Sequence, residues 1–260
     1  MMIGSKKRAG NAGFTNQVEY LLTDTVPFAI QEAYKMIRTN IIFSIPDQKC
    51  KKILVTSALQ GEAKSTTAVN VSIAFAQNQS RILLVDCDLR LPTDAKKLNA
   101  QQSPGLTNLL VGMCTLDEAI QQLPSGLDVL AAGDIPPNPS ELLGSPRMEQ
   151  LMKELESRYE YIILDTPPIC AVADATILSK MASGVILVVR QGIATRENVN
   201  NALEKLKVAN AKVLGIVMTG AANEKTKSYS KGKGYGYGYG YADNYAKAQM
   251  QIGDQKNESH

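Results

Sequence analysis

The sequence predicts an α/β domain whose core is a doubly wound, mostly parallel sheet. Two observations predict it. Six short apolar runs follow one another, at 53–55, 82–85, 127–130, 162–164, 185–189 and 213–218, with helix-length segments between them. Within each run the hydrophobicity is close to continuous rather than alternating, the pattern of strands covered on both faces. Strands that alternate with helical segments need crossover connections, and those give parallel order. In such sheets ligands bind at the carboxyl ends of the strands. The polar residues after each run are therefore the first place to look for chemistry.

From the N-terminus, residues 1–27 read as a polar arm. Ile30, Tyr34, Ile37 and Ile41 then recur at three- and four-residue spacing, which predicts an amphipathic helix over 29–45. Glu32, Lys35 and Arg38 lie on another face of it, and Pro46 lies beyond its end. The stretch Ile135-Pro136-Pro137-Asn138-Pro139-Ser140 is a stiff loop. Proline keeps it out of helix up to Ser140, the expected N-cap of the next helix. The core is expected to span 28–222. Residues 223–260 are rich in Gly, Tyr, Lys, Asn and Gln and read as a segment that does not pack by itself.

The bulk numbers narrow the function classes. At 260 residues the chain holds one sizeable domain plus appendages. A net charge of +3 gives no general argument for nucleic acid. The short run Lys6-Lys7-Arg8 reads as solvated. Cys50, Cys87, Cys114 and Cys170 are widely spaced and form no C-x-x-C pair, consistent with a reducing compartment. The only histidine is His260. That excludes a Ser-His-Asp triad, a histidine zinc site and a phosphohistidine intermediate. No apolar stretch approaches the roughly 20 residues that cross a bilayer. A cytoplasmic protein is expected, able to dock on a membrane partner.

Three of the runs end in residues that handle phosphate or metal. The first is followed by Thr56-Ser57-Ala58-Leu59-Gln60-Gly61-Glu62-Ala63-Lys64-Ser65-Thr66, a degenerate P-loop. Backbone N–H groups over Gly61, Glu62, Ala63, Lys64, Ser65 and Thr66 would cradle phosphates at a helix start. Lys64 would reach the β- and γ-phosphates, and Ser65 would serve Mg²⁺. Ala58 and Ala63 stand where the usual motif has glycine. A positive φ at Ala63 would cost on the order of 1 kcal/mol. The second run leads into Asp86-Cys87-Asp88-Leu89-Arg90, where a turning backbone aims both carboxylates at one metal–phosphate centre. Cys87 reads as a small buried filler. The fourth leads into Asp165-Thr166-Pro167-Pro168, a Walker B strand with a stiff exit whose Asp165 would hold Mg²⁺, through water. Together the three specify a sheet of the P-loop NTPase type.

This set of motifs resembles the bacterial tyrosine kinases of capsule and exopolysaccharide synthesis, in the form where the cytoplasmic kinase is a separate chain. The resemblance runs from about residue 26 to the end. It includes the two aspartate motifs and the Pro136-Pro137-Asn138-Pro139-Ser140-Glu141-Leu142-Leu143 loop. It also includes Glu32-Ala33-Tyr34-Lys35-Met36-Ile37-Arg38, similar to the family's Glu-x-x-Arg-x-x-Arg oligomerisation element with Lys35 in place of the first Arg. Gln60 and Ala63 stand where the family carries Pro and Gly. The resemblance implies ATP and Mg²⁺ as cofactors. It implies that Lys64 neutralises phosphate, Ser65 and Asp88 serve the metal, Asp165 orders the metal's water, and Asp86 is base or positioner for a tyrosine hydroxyl. It further implies a homo-oligomer, a ring or other assembly, with Glu32, Lys35 and Arg38 at its interface. The implied partners are a transmembrane co-polymerase-like activator, a cognate tyrosine phosphatase and sugar-nucleotide or polysaccharide enzymes. Recruitment to the inner face of the cell membrane follows from the first of these.

The C-terminal segment fits that reading. Tyr229, Tyr235, Tyr237, Tyr239, Tyr241 and Tyr245 are six of the ten tyrosines. They are the expected phosphoacceptors, and 223–245 fully extended spans at most roughly 75 Å, enough to enter a neighbour's site. Without a kinase-like core such a tract would read as a self-associating or RNA-stacking segment. Two alternatives share the P-loop core. One is a partition-type switch ATPase, which usually carries a lysine where this chain has Leu59. The other is a nucleotide-binding scaffold weakened by Ala63.

Overall fold

A computed structural model describes residues 21–220, save Asp24 and Asp47. Seven strands form one sheet: β1 (Lys51–Ser57), β2 (Ile82–Asp86), β3 (Ile120–Gln122), β4 (Asp128–Leu130), β5 (Tyr161–Asp165), β6 (Gly184–Arg190) and β7 (Val213–Thr219). Their order is β3-β4-β2-β5-β1-β6-β7, and every pairing is parallel except β3 with β4. The six apolar runs supply all but β3. That three-residue edge strand, Ile-Gln-Gln, carries no apolar signal of its own.

Nine helices occur among the described residues: α1 (Phe28–Ser44), α2 (Lys64–Ala76), α3 (Asp94–Leu98), α4 (Leu106–Val111), α5 (Leu116–Ala119), α6 (Pro139–Leu143), α7 (Pro146–Arg158), α8 (Asp174–Ser179) and α9 (Arg196–Val208). They cover both faces of the sheet, as the unbroken hydrophobicity of its inner strands demands. Alternate residues of one strand feed two cores. Ile53, Val55, Leu84 and Ile163 pack with α1 and α2, whereas Leu54, Leu83, Ile162 and Leu164 pack with α4 to α9. Phe75 of α2 is fully buried and lies 4.2 Å, centroid to centroid, from the ring of Tyr161. Burying such a ring contributes about 1.5–3 kcal/mol.

α2 is buried along its whole length from Thr67 to Ala76 because it lies between the sheet and α1. Arg38 of α1 turns inward and donates from Nη1 to the carbonyl of Ala74 at 2.7 Å, at the end of α2 where carbonyls lack intrahelical donors. Glu32 and Lys35 pair with each other at 2.8 Å on the exposed surface. Leu21 and Leu22, assigned to the arm on sequence, are buried in the α1–α2 core. Residues 1–20 and 221–260, which include Tyr229, Tyr235, Tyr237, Tyr239, Tyr241 and Tyr245, lie outside the described residues.

Two expectations need correction. Ser140 is not an N-cap: α6 starts at Pro139, with Asn138 before it. Proline is tolerated in the first helical position because its missing N–H is an orphan there anyway. The Ser140 hydroxyl is used elsewhere, as the site below shows. Secondly, β7 is not covered on both faces. Leu214 and Val217 reach the α1–α2 core, but Ile216 is 50 % and Met218 64 % exposed. An edge strand has sheet on one side only, and continuous apolar sequence does not distinguish it from a central one.

A register shift between Val185 and Ile186 leaves Leu214 unpaired on β7. A Cβ on Gly184 would meet Leu214 Cδ2 at 2.4 Å and Cγ at 2.5 Å. Gly184→Ala is therefore expected to destabilise the fold by about 1–3 kcal/mol through overpacking. Urea unfolding checks this, and an unchanged midpoint would show that Leu214 has another place to go.

Candidate active site

Strand register brings the motifs together. β5 lies between β1 and β2, with Asp165 level with Val55 on one side and Asp86 on the other. Parallel in-register pairing thus sets Asp86 and Asp165 side by side at the carboxyl edge of the sheet. The backbone locks the exits. Cys87 N–H donates to the Asp165 carbonyl at 2.8 Å, and Thr166 N–H to the Val55 carbonyl at 3.1 Å. Thr56 Oγ1 donates to the Pro167 carbonyl at 2.9 Å, tying the proline exit alongside the start of the P-loop.

The loop between β1 and α2 takes the conformation its glycines would have eased. Gly61 has φ +86°, and Ala63, before the first residue of α2, has φ 67° and ψ 26°. A Cβ thus occupies a left-handed position. Glu62 holds the loop there. Its side chain is fully buried and accepts from Leu59 N–H at 2.6 Å and Arg190 N–H at 3.1 Å, while its carbonyl accepts from Thr219 Oγ1 at 2.9 Å. Glu62 can therefore serve a phosphate only through its backbone. Leu59 packs against the core rather than projecting from the loop. At the start of α2, the first-turn N–H groups of Lys64, Ser65 and Thr66 lack intrahelical acceptors.

Lys64 is the hub. Its Nζ lies 2.9 Å from Asp88 Oδ2, 3.6 Å from Asp165 Oδ2 and 3.1 Å from Ser65 Oγ. Asp86 is fully buried and accepts from the N–H groups of Asp88 at 3.1 Å and of Thr93 and Asp94 at 3.2 Å each. Asp88 Oδ1 accepts from Leu91 N–H at 3.1 Å. All the residues expected to act on the phosphates and metal thus meet at one place. Arg90 points outward from it: its guanidinium grips buried Asp174 at 2.8 Å and 3.1 Å and donates to Ser140 Oγ at 2.9 Å. Ser140 also donates to Asp174 at 2.5 Å. The proline-rich loop is in this way fastened to the aspartate motif. Sequence reasoning missed Asp174 and Asp94, single acids with no spacing signal.

Comparison with known proteins agrees with the geometry. Residues 50–216 match the family model described as AAA domain. The tyrosine-protein kinase YwqD of Bacillus subtilis is 43 % identical over 199 residues, covering 76 % of this chain and 84 % of that one. The chain belongs to the bacterial tyrosine-protein kinases. The crystal structure of the chimerical protein CapA2B2 superposes with a TM-score of 0.72 at 37 % identity, covering 76 % of the kinase and 86 % of the chimera. The kinase domain of Escherichia coli ETK gives 0.73 at 28 % identity, with 84 % and 89 % covered. Among the described residues no helix of the kinase is long and apolar enough to cross a membrane.

Burial of so many acids in one place perturbs them. Burial would lower the Lys64 ammonium, but Asp165 and Asp88 outweigh it and hold the lysine above its ordinary value. Burial, then repulsion from Asp165, pushes Asp86 up to about 7, against the pull of the Asp94 N–H and Lys64. Burial raises Asp165 as well, opposed by Lys64 and by the nearby Ser65 hydroxyl, which lies outside good hydrogen-bond geometry. Neither oxygen of Asp165 accepts a hydrogen bond. An orphaned buried carboxylate beside a hydroxyl is a donor set that suits a hard cation such as Mg²⁺. The P-loop and these donors fit a magnesium-bound nucleotide. The surface hollow of about 600 Å³ lined by Lys49, Lys52 and Lys153 lies at the other end of the strands and holds none of these residues.

Two outcomes follow for the kinase. Ala63→Gly should stabilise it by about 0.5–1 kcal/mol, the relieved left-handed strain less the added chain entropy of glycine. Thermal unfolding reads this, and a lowered midpoint would mean that the loop bears no strain. The second concerns pH. A carboxylate raised in the fold keeps its proton where the unfolded chain has lost it, so the folded state binds more protons between about 3.8 and about 7. Stability contributed by Asp86 therefore falls as pH rises through that window and is level above it. In EDTA, Asp86→Asn should gain stability relative to wild type from pH 4 to 7. A difference independent of pH would contradict the assignment.

Proposed function

We propose that this kinase transfers the γ-phosphoryl group of ATP to tyrosines of its own C-terminal cluster, Tyr229 to Tyr245, in a neighbouring copy. The observation that carries the proposal is the Lys64 ammonium held between Asp88 and Asp165 with Asp86 alongside. Bound Mg²⁺–ATP supplies the transferable phosphoryl group and spreads its charge. Lys64 is positioned to leave its carboxylates for phosphate oxygens, a short swing because the ammonium already sits at the helix start. The N–H groups from Gly61 to Thr66 orient the phosphates. Ser65, Asp88 and Asp165 are the side chains that would hold the cation or its water. Asp86 accepts the phenol proton at its carboxylate. Burial lifts this carboxyl above the ordinary carboxylate range, towards a phenol that titrates near 10, so the carboxylate assists without full transfer before reaction.

Assembly fits the outer face of α1. Met36 is 64 % and Phe43 77 % exposed, one and three turns after Glu32 of the exposed Glu32–Lys35 pair, an apolar strip suited to a second copy. Arg38, also expected at that interface, donates to the Ala74 carbonyl of α2 within the chain. Several phosphotyrosines, each adding about −1.5 to −2 charges, would reverse the local charge of Lys225, Lys227, Lys231 and Lys233 and loosen the assembly. The same reading places the kinase in the cytoplasm beside a transmembrane activator of capsular or exopolysaccharide synthesis. A phosphatase would reset the tail, and sugar-nucleotide or polysaccharide enzymes would be further substrates.

Mass spectrometry of the full chain after incubation with ATP and Mg²⁺ should map phosphate onto the 229–245 tyrosines. Lys64→Met should abolish it, and Asp86→Ala should slow it by about 100-fold or more. Transfer between copies makes the rate per chain fall on dilution. Phosphate released without retention on tyrosine would favour a switch ATPase, and labelling unchanged in Lys64→Met would refute the site.

A further inference from the structure

The motif carboxylates have a neighbour that no motif includes. Asp94 opens α3, and the loop before it curls around Asp86, whose Oδ2 accepts the N–H groups of both Thr93 and Asp94. That curl delivers the Asp94 side chain to the ends of β2 and β5. Its residue is 0 % exposed, and neither carboxylate oxygen has a hydrogen-bond partner. It does not cap α3, where Thr93 is the N-cap and no side chain closes the first turn. One oxygen each from Asp86, Asp94 and Asp165 lie within 4.8 Å of one another.

Charge does not balance here. Four carboxylates, those of Asp86, Asp88, Asp94 and Asp165, meet one ammonium in contact, Lys64, which reaches only Asp88 and Asp165. Lys97 is bound to the Thr93 hydroxyl and acts on Asp94 only through space. A buried, unpaired carboxylate is costly unless it takes a proton or a cation. The Asp94 carboxylate has no ion pair and no hydrogen bond among the described residues, and its oxygens beside those of Asp165, which accept no hydrogen bond, point to the second.

We infer that Asp86, Asp94 and Asp165 form a divalent-cation site that loads without nucleotide. Its donors are all carboxylate oxygens, which suit Mg²⁺ or Mn²⁺ and not a soft metal. Three oxygens about 2.1 Å from one ion lie about 3.0–3.6 Å apart when equally spaced, so closing the site takes a shift of roughly an ångström by each oxygen. The site shares Asp165 with the position that Ser65 and Asp88 serve beside the phosphates and differs from it in drawing on Asp94. Its consequence rests on the kinase reading: a cation on Asp165 displaces Lys64 from that carboxylate and frees the ammonium for phosphate.

Mn²⁺ binding to the full chain, stripped of nucleotide, tests the site by paramagnetic resonance of the free ion. A thermal shift with Mg²⁺ gives a second readout. Wild type is expected to take up one Mn²⁺ per chain. Asp94→Asn should weaken uptake at least tenfold and lose the Mg²⁺ shift, and Asp94→Ser is the second variant should the amide disturb folding. No uptake by wild type at millimolar Mn²⁺ would overturn the inference in favour of a proton held among the three acids. So would unchanged uptake in both Asp94 variants. Because nucleotide is absent, failure of tyrosine phosphorylation and failure of this site register in different experiments.

Discussion

The Lys64 ammonium among buried carboxylates is the interaction on which the rest of the site depends. A charge taken out of water is tolerable only when paired, and here one lysine is shared by Asp88 and Asp165 at the edge of a sheet whose strands β2 and β5 are wholly buried. The sharing is possible only because β5 lies between β1 and β2 with Asp165 level with Val55 and Asp86. A slip of one residue in either pairing would send one carboxylate to the opposite face. The hydrophobic runs that hold the register are therefore part of the chemistry. They fix side-chain positions that the charges alone would drive apart.

Around that hub the loops are held by buried polar clamps rather than by apolar packing. Glu62 fastens the P-loop to the ends of β6 and β7, and Arg90 with Asp174 and Ser140 fastens the aspartate motif to α6 and α8. Each clamp uses a charged group that is satisfied within the protein, which is the condition for burying it. The left-handed Ala63 is kept in place by the first of these clamps. Local strain survives where its surroundings over-determine the backbone.

The lysine that would neutralise a nucleotide's phosphates is also the one that neutralises the acids in its absence. Nucleotide binding is then an exchange of anionic partners at a preformed position, and little side-chain ordering is left to pay on arrival. That is economical for positioning, the main thing phosphoryl transfer asks of a protein. It also leaves the carboxylates exposed to one another when Lys64 moves. Any cation that joins them offsets that repulsion.

The sequence by itself determined the class of sheet, six of its seven strands, the long first helix and the identity of the motif residues. Those follow from local composition: apolar runs make buried strands, periodic residues make α1, and Gly61-Glu62-Ala63-Lys64-Ser65 after a strand makes a phosphate loop. It could not show that β7 keeps one face open, because an edge is defined by what is missing beside it. Nor could it place Ser140, whose hydroxyl serves Asp174, a residue 34 positions away. Asp94 and Asp174 read as ordinary acids, since burial and unmet hydrogen bonds are properties of packing. Local spacing names the chemical groups, and only the pairing of distant strands decides which of them share one volume out of reach of water.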